Sequence, residues 1–396
     1  MRVFSSFCEL LKYPLYGCGW LYGTLNQVRA ALYRHGVLAS LEAPVPVVSV
    51  GNLAVGGTGK TPVTEWVARF FLRRGKKVAV LSRGYGRREM GENRVVCRGR
   101  GPEIPPELAG DEPWLLARRT PELVVVVARR RAEAVKLAVE ELGAEILVLD
   151  DGFQHLAVRR HLDIVLLDAR RPLGNGRVLP AGPLREFPEA LSRGDLFLFS
   201  HSNGQEHFPV PGRAFHCRHL LAEEAISLGG ERLPLERLRK LKCAAFAGIA
   251  HPENFFEDLQ KCGIFPERCR SLHDHACFSA SKKAELRRWA QGVDCLLTTE
   301  KDAVKLCAGD FAIPCYAIPL EVAFDEQEEL EAVLEDAVKT VSGNLVRMLA
   351  CPSCGQAVMK MNDTGRGLVC SACRRSYPVR DGIPEMVEKT GNEAAD

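Results

Sequence analysis

The sequence predicts an α/β protein: a parallel sheet with helices on both faces, a smaller second α/β domain, and a short cysteine-bearing domain after them. Three observations predict it. Apolar runs of strand length without polar alternation recur between residues 45 and 200, separated by helix-type stretches, which is how strands buried on both faces read. One of these runs leads through a glycine-rich turn into Gly59-Lys60-Thr61 and a helical apolar stripe. Residues 351–373 carry two Cys-x₂-Cys pairs.

In chain order, residues 1–40 come first as an aromatic, apolar segment. Glu9 and Lys12 interrupt it early, so no secretory signal is convincing. The apolar run from Tyr13 to Leu25 is shorter than the roughly 20 residues a bilayer span needs. It holds Tyr13, Tyr16, Trp20 and Tyr22, with Arg29 and Arg34 after it. Aromatic rings beside arginines suit a membrane interface. A helix packed on the protein's own core fits the same pattern.

Residues 41–200 read as the main domain. Residues 45–52 form a buried strand, and a helix from about Thr61 carries Val63, Trp66, Val67, Phe70 and Phe71 before Arg73-Arg74-Gly75 ends it. Further strands fall at 77–84, 123–128, 145–150, 163–168 and 195–200, with a helical stretch over 130–142. Residues 201–342 read as the second α/β domain. It holds an apolar run at 243–250, helices near 252–262 and 279–291, the stretch 294–306, and an acidic amphipathic helix over 321–340. Residues 343–396 form the cysteine-bearing domain.

With 46% apolar and 26% charged residues the chain is an ordinary globular protein, not a disordered one. Its net charge of +3 is too small to argue for nucleic acid, and no basic patch interleaved with aromatics supports that partner. Arginine pairs and triples recur between residues 73 and 171. Taken singly they read as solvated helix ends; taken together they suit a face that meets anionic lipid or phosphate. Of fifteen cysteines, those outside the paired motif lack the spacing of a secreted disulfide framework, which favours a reducing cytoplasmic compartment.

A strand, a glycine-rich turn and a Gly-Lys-Thr that opens a helix form the order that cradles phosphates. Here Gly56, Gly57, Thr58 and Gly59 would face the nucleotide, Lys60 would reach its β/γ-phosphates, and the Thr61 hydroxyl would bind Mg²⁺. The strict pattern wants glycine where Ala54 stands. A metal partner belongs at the end of a neighbouring strand, and "EILVLDD" supplies Asp150 and Asp151, either of which can face the ion. The guanine-reading Asn/Thr-Lys-x-Asp motif is absent: in Thr299-Glu300-Lys301-Asp302 lysine and aspartate are adjacent, so ATP is expected over GTP. The main domain is therefore P-loop NTPase-like. Asp111-Glu112, Arg185-Glu186 and the cluster His273-Asp274-His275 are each, in isolation, better explained by capping or surface roles.

Cys351, Cys354, Cys370 and Cys373 form C-x₂-C-x₁₅-C-x₂-C, two knuckles whose four thiolates suit a structural, tetrahedral Zn²⁺. The cysteine-bearing domain thus reads as a zinc ribbon, and "YPVRDGIPEM" after it resembles the short zinc-ribbon family that also occurs as the activating subunit of methyltransferases. A protein partner of this ribbon is left unnamed.

The ordered set "SVGNLAVGGTGKTP", "LSRGYGR", "AGDEP", "LDDGFQH", "LLDARRPLGNGRVLPAGPLRE", "HPENFF", "DH" and "TTEKDAVK" resembles the tetraacyldisaccharide 4′-kinase family over about residues 10–310. In that family a non-glycine residue stands where Ala54 does. The resemblance implies transfer of the ATP γ-phosphoryl group to the 4′-hydroxyl of an acylated glucosamine disaccharide 1-phosphate, giving lipid IVA in lipid A biosynthesis. It implies a peripheral enzyme on the cytoplasmic face of the inner membrane. It implies Asp111 as the catalytic carboxylate paired with a histidine, Asp150 and Asp151 at the metal, and Arg185 and Glu186 lining the site, with Arg185 on phosphate. The family commonly shows two histidines after the aspartate; here His275 follows Asp274 and His273 precedes it, so His275 is expected and His273 stays open. The alternative is a P-loop ATPase switch whose ribbon recruits a partner enzyme. Such a switch needs neither a base for a sugar hydroxyl nor an apolar entrance for acyl chains.

Overall fold

Strands that lack polar alternation assemble as a parallel sheet in the computed structural model of the chain. The structure describes residues 2–56, 59–89, 91–202, 208–274, 276–348, 350–356, 359–361, 367–380, 383–384 and 386. In order, α1 (Arg2–Arg34) precedes β1 (Val47–Asn52), α2 (Lys60–Arg73), β2 (Val78–Ser82), β3 (Arg94–Arg98), the single turn α3 (Pro106–Ala109), α4 (Asp111–Arg119), β4 (Val124–Val127), α5 (Arg131–Lys136), β5 (Ile146–Asp150), β6 (Leu162–Asp168), β7 (Leu196–Ser200) and β8 (Arg213–Leu221). Then come β9 (Glu224–Ser227), β10 (Arg232–Pro234), α6 (Leu235–Leu238), β11 (Cys243–Ala247), α7 (Pro252–Lys261), β12 (Arg268–Ser271), α8 (Ala280–Trp289), β13 (Cys295–Thr299), α9 (Glu300–Ala303), β14 (Cys315–Ile318) and β15 (Leu320–Phe324). The chain continues through α10 (Gln327–Met348) to β16 (Met359–Met361), β17 (Gly367–Cys370), β18 (Ser376–Arg380) and β19 (Ile383–Pro384).

The chain divides into two compact units, residues 1–43 with 47–327, and residues 44–46 with 328–396. The first unit holds a nine-stranded sheet in the order β15-β8-β7-β6-β1-β5-β2-β4-β3, parallel throughout except for an antiparallel strand at each edge. Every residue of β1, β2, β4 and β5 is buried, which explains their unbroken apolar runs. Each fully buried Val or Leu there contributes roughly 1.5–3 kcal/mol of transfer free energy. The apolar stripe of α2 (Val63, Val67, Phe70 and Phe71) is buried as its helical spacing requires.

The same unit holds a six-stranded sheet, β10-β9-β14-β13-β11-β12. The two sheets share the chain in an interleaved way. β8 belongs to the first and β9 to the second; β14 belongs to the second and β15 to the first. Thus β8 and β15, both from beyond residue 200, extend the first sheet.

The helix expected over 321–340 begins only at Gln327. Leu320–Phe324 is a strand because Leu-Glu-Val-Ala-Phe alternates, and it pairs antiparallel with β8 from Leu320↔Leu221 to Phe324↔Cys217. Phe324 is buried against Trp66 of α2, ring centroids 4.4 Å apart. The helix over 130–142 starts as α5 and continues as a wider π-type turn, Leu137–Glu141.

In the second unit β16, β17, β18 and β19 form a four-stranded antiparallel sheet. Among the described residues, no helix is long and apolar enough to cross a membrane.

Candidate active site

β1 and β5 are parallel neighbours with Val50 opposite Asp150, so the glycine-rich loop and the two aspartates leave the sheet at the same edge. The first limb of the loop is not free. Ala54 forms an antiparallel bridge with Leu184, the Val55 N–H donates to the Pro183 carbonyl at 2.8 Å, and the Arg185 N–H donates to the Leu53 carbonyl at 2.9 Å. Ala54 therefore sits in extended backbone, where a side chain is tolerated and a glycine would only add disorder. The second limb turns sharply. Gly59, at φ 76° and ψ 28°, is left-handed and caps α2 with no side-chain bond, leaving the first N–H groups of the helix without intrahelical partners. Gly57 and Thr58 lie outside the described residues.

The pairing of the loop with residues 183–185 delivers Arg185 to Asp151. Its guanidinium donates to Asp151 Oδ2 at 2.8 Å and to Gln154 Oε1 at 3.2 Å. Lys60 Nζ lies 3.6 Å from the other oxygen, Asp151 Oδ1. Burial opposes ionisation of Asp151, but the charges of Lys60 and Arg185 outweigh it and hold the carboxyl below its ordinary range.

Asp150 differs. It is buried at 3% exposure, accepting from Thr64 Oγ1 at 3.2 Å and Ser82 Oγ at 3.0 Å. Burial first, then the charges of Glu112 and Asp151, push its carboxyl up to about 6. Arg131, also buried, donates to the Asp150 carbonyl at 3.2 Å and to that of Ala128 at 2.9 Å, fixing the backbone at the end of β5. The two adjacent aspartates thus have separate surroundings: hydroxyls for Asp150, cations for Asp151. Thr61 is the second residue of α2, directly after Lys60. A hydroxyl and two carboxylates form the all-oxygen donor set that suits Mg²⁺.

Asp111 begins α4, where a helix N-terminus favours a carboxylate. Lys305 Nζ lies 2.8 Å from Asp111 Oδ2. One helical turn earlier, Lys301 Nζ lies 3.1 Å from Glu112 and 3.9 Å from Asp274. Lys301 and Lys305 follow β13 of the six-stranded sheet, so the second sheet supplies the cations that meet the carboxylates of the first. The i, i+4 spacing of these lysines was legible in "TTEKDAVK"; their target was not. Thr64, Ser82 and Arg131 also escaped the sequence reading, because buried polar partners of a strand-end aspartate have no fixed spacing from it.

Glu186 is buried, and its carboxylate is taken by the fork of Arg193, at 2.8 and 2.9 Å. Arg193 in turn lies over the Phe153 ring, 4.7 Å from its centroid. The pair braces the loop behind Arg185. His273 places its carbonyl on the Ala276 N–H at 3.1 Å. His275 lies outside the described residues.

One face of α1 packs on this loop. A Cβ at Gly23 would fall 2.5 Å from the Phe187 ring, so only glycine permits that approach. Asn26 donates to the Arg185 carbonyl at 3.2 Å, and the Arg177 guanidinium lies 3.7 Å from the Tyr16 ring centroid. Trp20, Leu21, Leu25 and Val28 on the same helix remain exposed. The segment thus has one packed face and one exposed apolar face.

In the second unit the thiols of Cys351, Cys354, Cys370 and Cys373 all lie within 4.8 Å of one another. The Cys351–Cys373 and Cys354–Cys370 sulfurs are each 3.6 Å apart. Four sulfurs about 2.3 Å from a central ion stand about 3.8 Å apart, so this is the spacing of a tetrahedral metal site and not of disulfides.

Comparison with known proteins agrees with this geometry. The model of the Trm112p-like protein family matches residues 344–382. The tetraacyldisaccharide 4′-kinase of Syntrophotalea carbinolica is 50% identical over 322 residues, covering 81% of this chain and 90% of that protein. The protein of the same name from Geobacter sulfurreducens is 44% identical over 318 residues, covering 80% and 90%. A crystal structure of LpxK from Aquifex aeolicus in complex with ATP superposes with a TM-score of 0.71 at 31% identity, covering 83% of this chain and 99% of that one. With the model of the tetraacyldisaccharide-1-P 4′-kinase family matching residues 11–339 as well, the chain belongs to that family.

Proposed function

We propose that the chain is an ATP- and Mg²⁺-dependent lipid kinase. It transfers the γ-phosphoryl group of ATP to the 4′-hydroxyl of an acylated glucosamine disaccharide 1-phosphate, giving lipid IVA in lipid A biosynthesis. The observation that carries this reading is the convergence of Lys60 and Arg185 on Asp151 at the C-terminal end of the central strands.

Lys60 and the N-terminus of α2 bind the β/γ-phosphates and neutralise their charge. Thr61 and Asp151 would hold Mg²⁺, while Thr64 and Ser82 hold Asp150. When bound, Mg²⁺ would offset charge that develops during transfer. Arg185 contacts phosphate from the opposite side and orients Asp151. Asp111, aided by His275, accepts the proton of the sugar hydroxyl as that oxygen attacks. Glu186 acts through Arg193 as a brace for the Arg185 loop.

The exposed face of α1 supports a peripheral place at the cytoplasmic face of the inner membrane. Trp20, Leu21, Leu25 and Val28 enter the interface, and the opposite face of the helix holds the loop that carries Arg185. The acyl chains of the acceptor then stay in the bilayer while its sugar reaches Asp111. The four thiolates of the second unit would hold a structural Zn²⁺, and the ribbon would offer a docking module for a protein partner.

Incubation of the purified protein with γ-labelled ATP and tetraacyldisaccharide 1-phosphate in detergent tests the assignment. Labelled lipid is expected; none, under conditions where ATP binds, would sink it. Metal analysis should find about one zinc per chain, lost on joint Cys351→Ser and Cys354→Ser replacement. Unchanged zinc content in that variant would refute the ribbon site.

A further inference from the structure

His219 enters no motif above, yet its ring touches the phosphate loop. It lies on β8, and its Nε2 is 3.1 Å from the Gly59 carbonyl oxygen. A carbonyl only accepts, so Nε2 carries the proton and the ring is the neutral Nε2–H tautomer. Burial first, then the charge of His201, lowers the His219 pKa to about 4, although the bond to Gly59 and the charges of Asp258 and Asp168 oppose this. The contact is tight: a Cβ at Gly59 would fall 2.1 Å from Nε2 and 2.2 Å from Cε1. Gly59 is thus required twice, by its left-handed backbone and by the ring beside it.

The consequence follows from one planar peptide. In a trans peptide the carbonyl and the next N–H point in opposite directions. Holding the Gly59 carbonyl on His219 aims the Lys60 N–H the other way, off the N-terminal end of α2. That N–H is the first of α2 and lacks an intrahelical partner. We infer that His219 is a positioning residue for the phosphate loop: it locks the Gly59–Lys60 peptide so that the Lys60 N–H is presented to the nucleotide's phosphates.

Nothing else in the position demands histidine. Its Nδ1 is buried with no hydrogen-bond partner, a cost that a purely packing residue such as phenylalanine would avoid. The ring stacks obliquely on His201, centroids 5.7 Å apart, and His201 Nδ1 lies 3.3 Å from Asp168 Oδ2, so the orientation of the imidazole is held from behind.

This inference rests on the P-loop holding ATP, and the test separates the two. ATP affinity is measured by titration calorimetry on the full-length protein, with KM values for ATP and for the lipid acceptor from the labelled assay. His219→Phe keeps the ring and removes the donor; it should weaken ATP binding and raise its KM about tenfold. The acceptor KM and kcat should stay within about threefold. His219→Gln, whose amide nitrogen reaches where Nε2 stands, should recover most of the affinity; His219→Asn, too short, should not. Wild-type ATP affinity in the Phe and Asn variants overturns the inference while leaving the P-loop reading intact, provided Lys60→Ala abolishes binding. An equal loss in both KM values with no rescue by Gln overturns it too, as plain structural damage. Absence of ATP binding in the wild-type protein overturns both.

Discussion

Arg185 and Asp151, 34 residues apart in sequence, are joined by a 2.8 Å charge-assisted hydrogen bond. The bond exists because the phosphate loop and the segment 183–185 pair backbone to backbone through Leu53, Val55 and Ala54. A contact set by main-chain pairing leaves Arg185 little freedom to be replaced by a shorter or differently shaped cation. Arg185→Lys should therefore lower kcat by about 10- to 100-fold, since lysine keeps the charge but loses the planar guanidinium, one nitrogen of which donates to both Asp151 and Gln154. A kcat within twofold of wild type would show that only the charge matters.

Asp111 should act on turnover and not on nucleotide binding. Asp111→Asn removes a proton acceptor and should lower kcat by about 10²–10⁴-fold with ATP affinity kept. Lys305→Met frees the Asp111 carboxylate from its 2.8 Å partner and should lower kcat about tenfold, again without change in ATP affinity. Loss of ATP affinity in Asp111→Asn with normal kcat would make Asp111 a nucleotide ligand instead.

Glu186 should behave as a brace. Arg193→Ala leaves a buried carboxylate without its fork and should destabilise the fold by about 3 kcal/mol. Glu186→Gln keeps one acceptor and should cost less. At a temperature where both variants remain folded, kcat should fall less than for Asp111→Asn. Full inactivation of a stably folded Glu186→Gln protein would give Glu186 a direct chemical role.

The lowered pKa of His219, about 4 against an ordinary 6.5, makes stability depend on pH in a defined direction. The unfolded chain takes up a proton at this site below about pH 6.5, and the folded chain does not until about pH 4. The stabilisation is present above pH 6.5 and is lost as pH falls through that window, on the order of 3–4 kcal/mol in all. Thermal unfolding from pH 7 to 4.5 should show a shallower acid decline in His219→Gln than in wild type. Parallel curves would mean that His219 titrates normally in the folded protein.

The parts of this fold that were legible in the sequence share one property: the information is local. The apolar runs of β1, β2, β4 and β5 read as buried strands because burial on both faces leaves no alternation to misread. Lys60, Thr61, Asp150 and Asp151 stand out as candidates in the sequence because phosphate and Mg²⁺ chemistry demands fixed residue types at strand ends. Asp111 and Arg185 carried no such local mark and came only through resemblance to a family. β8 and β15 were missed because each is an edge or near-edge strand with mixed burial, and 320–324 runs into a strongly helical acidic stretch. Lys305 and His219 were missed because their partners, Asp111 and Gly59, are 194 and 160 residues away by subtraction of their numbers, separations at which sequence spacing says nothing.

The interleaving of the two sheets bears on how the chain is made. Synthesis from the N-terminus supplies β8 by residue 221, but its outer neighbour β15 is complete only at residue 324. For the whole interval the hydrogen-bonding edge of β8 is bare, a template for wrong pairing on a nascent chain. The six-stranded sheet is the segment that emerges in that time, and its folding brings the two crossings together and returns the chain as β15. A ribosome stalled between residues 230 and 310 should thus yield a trypsin-sensitive first sheet, and one stalled beyond 350 a resistant one.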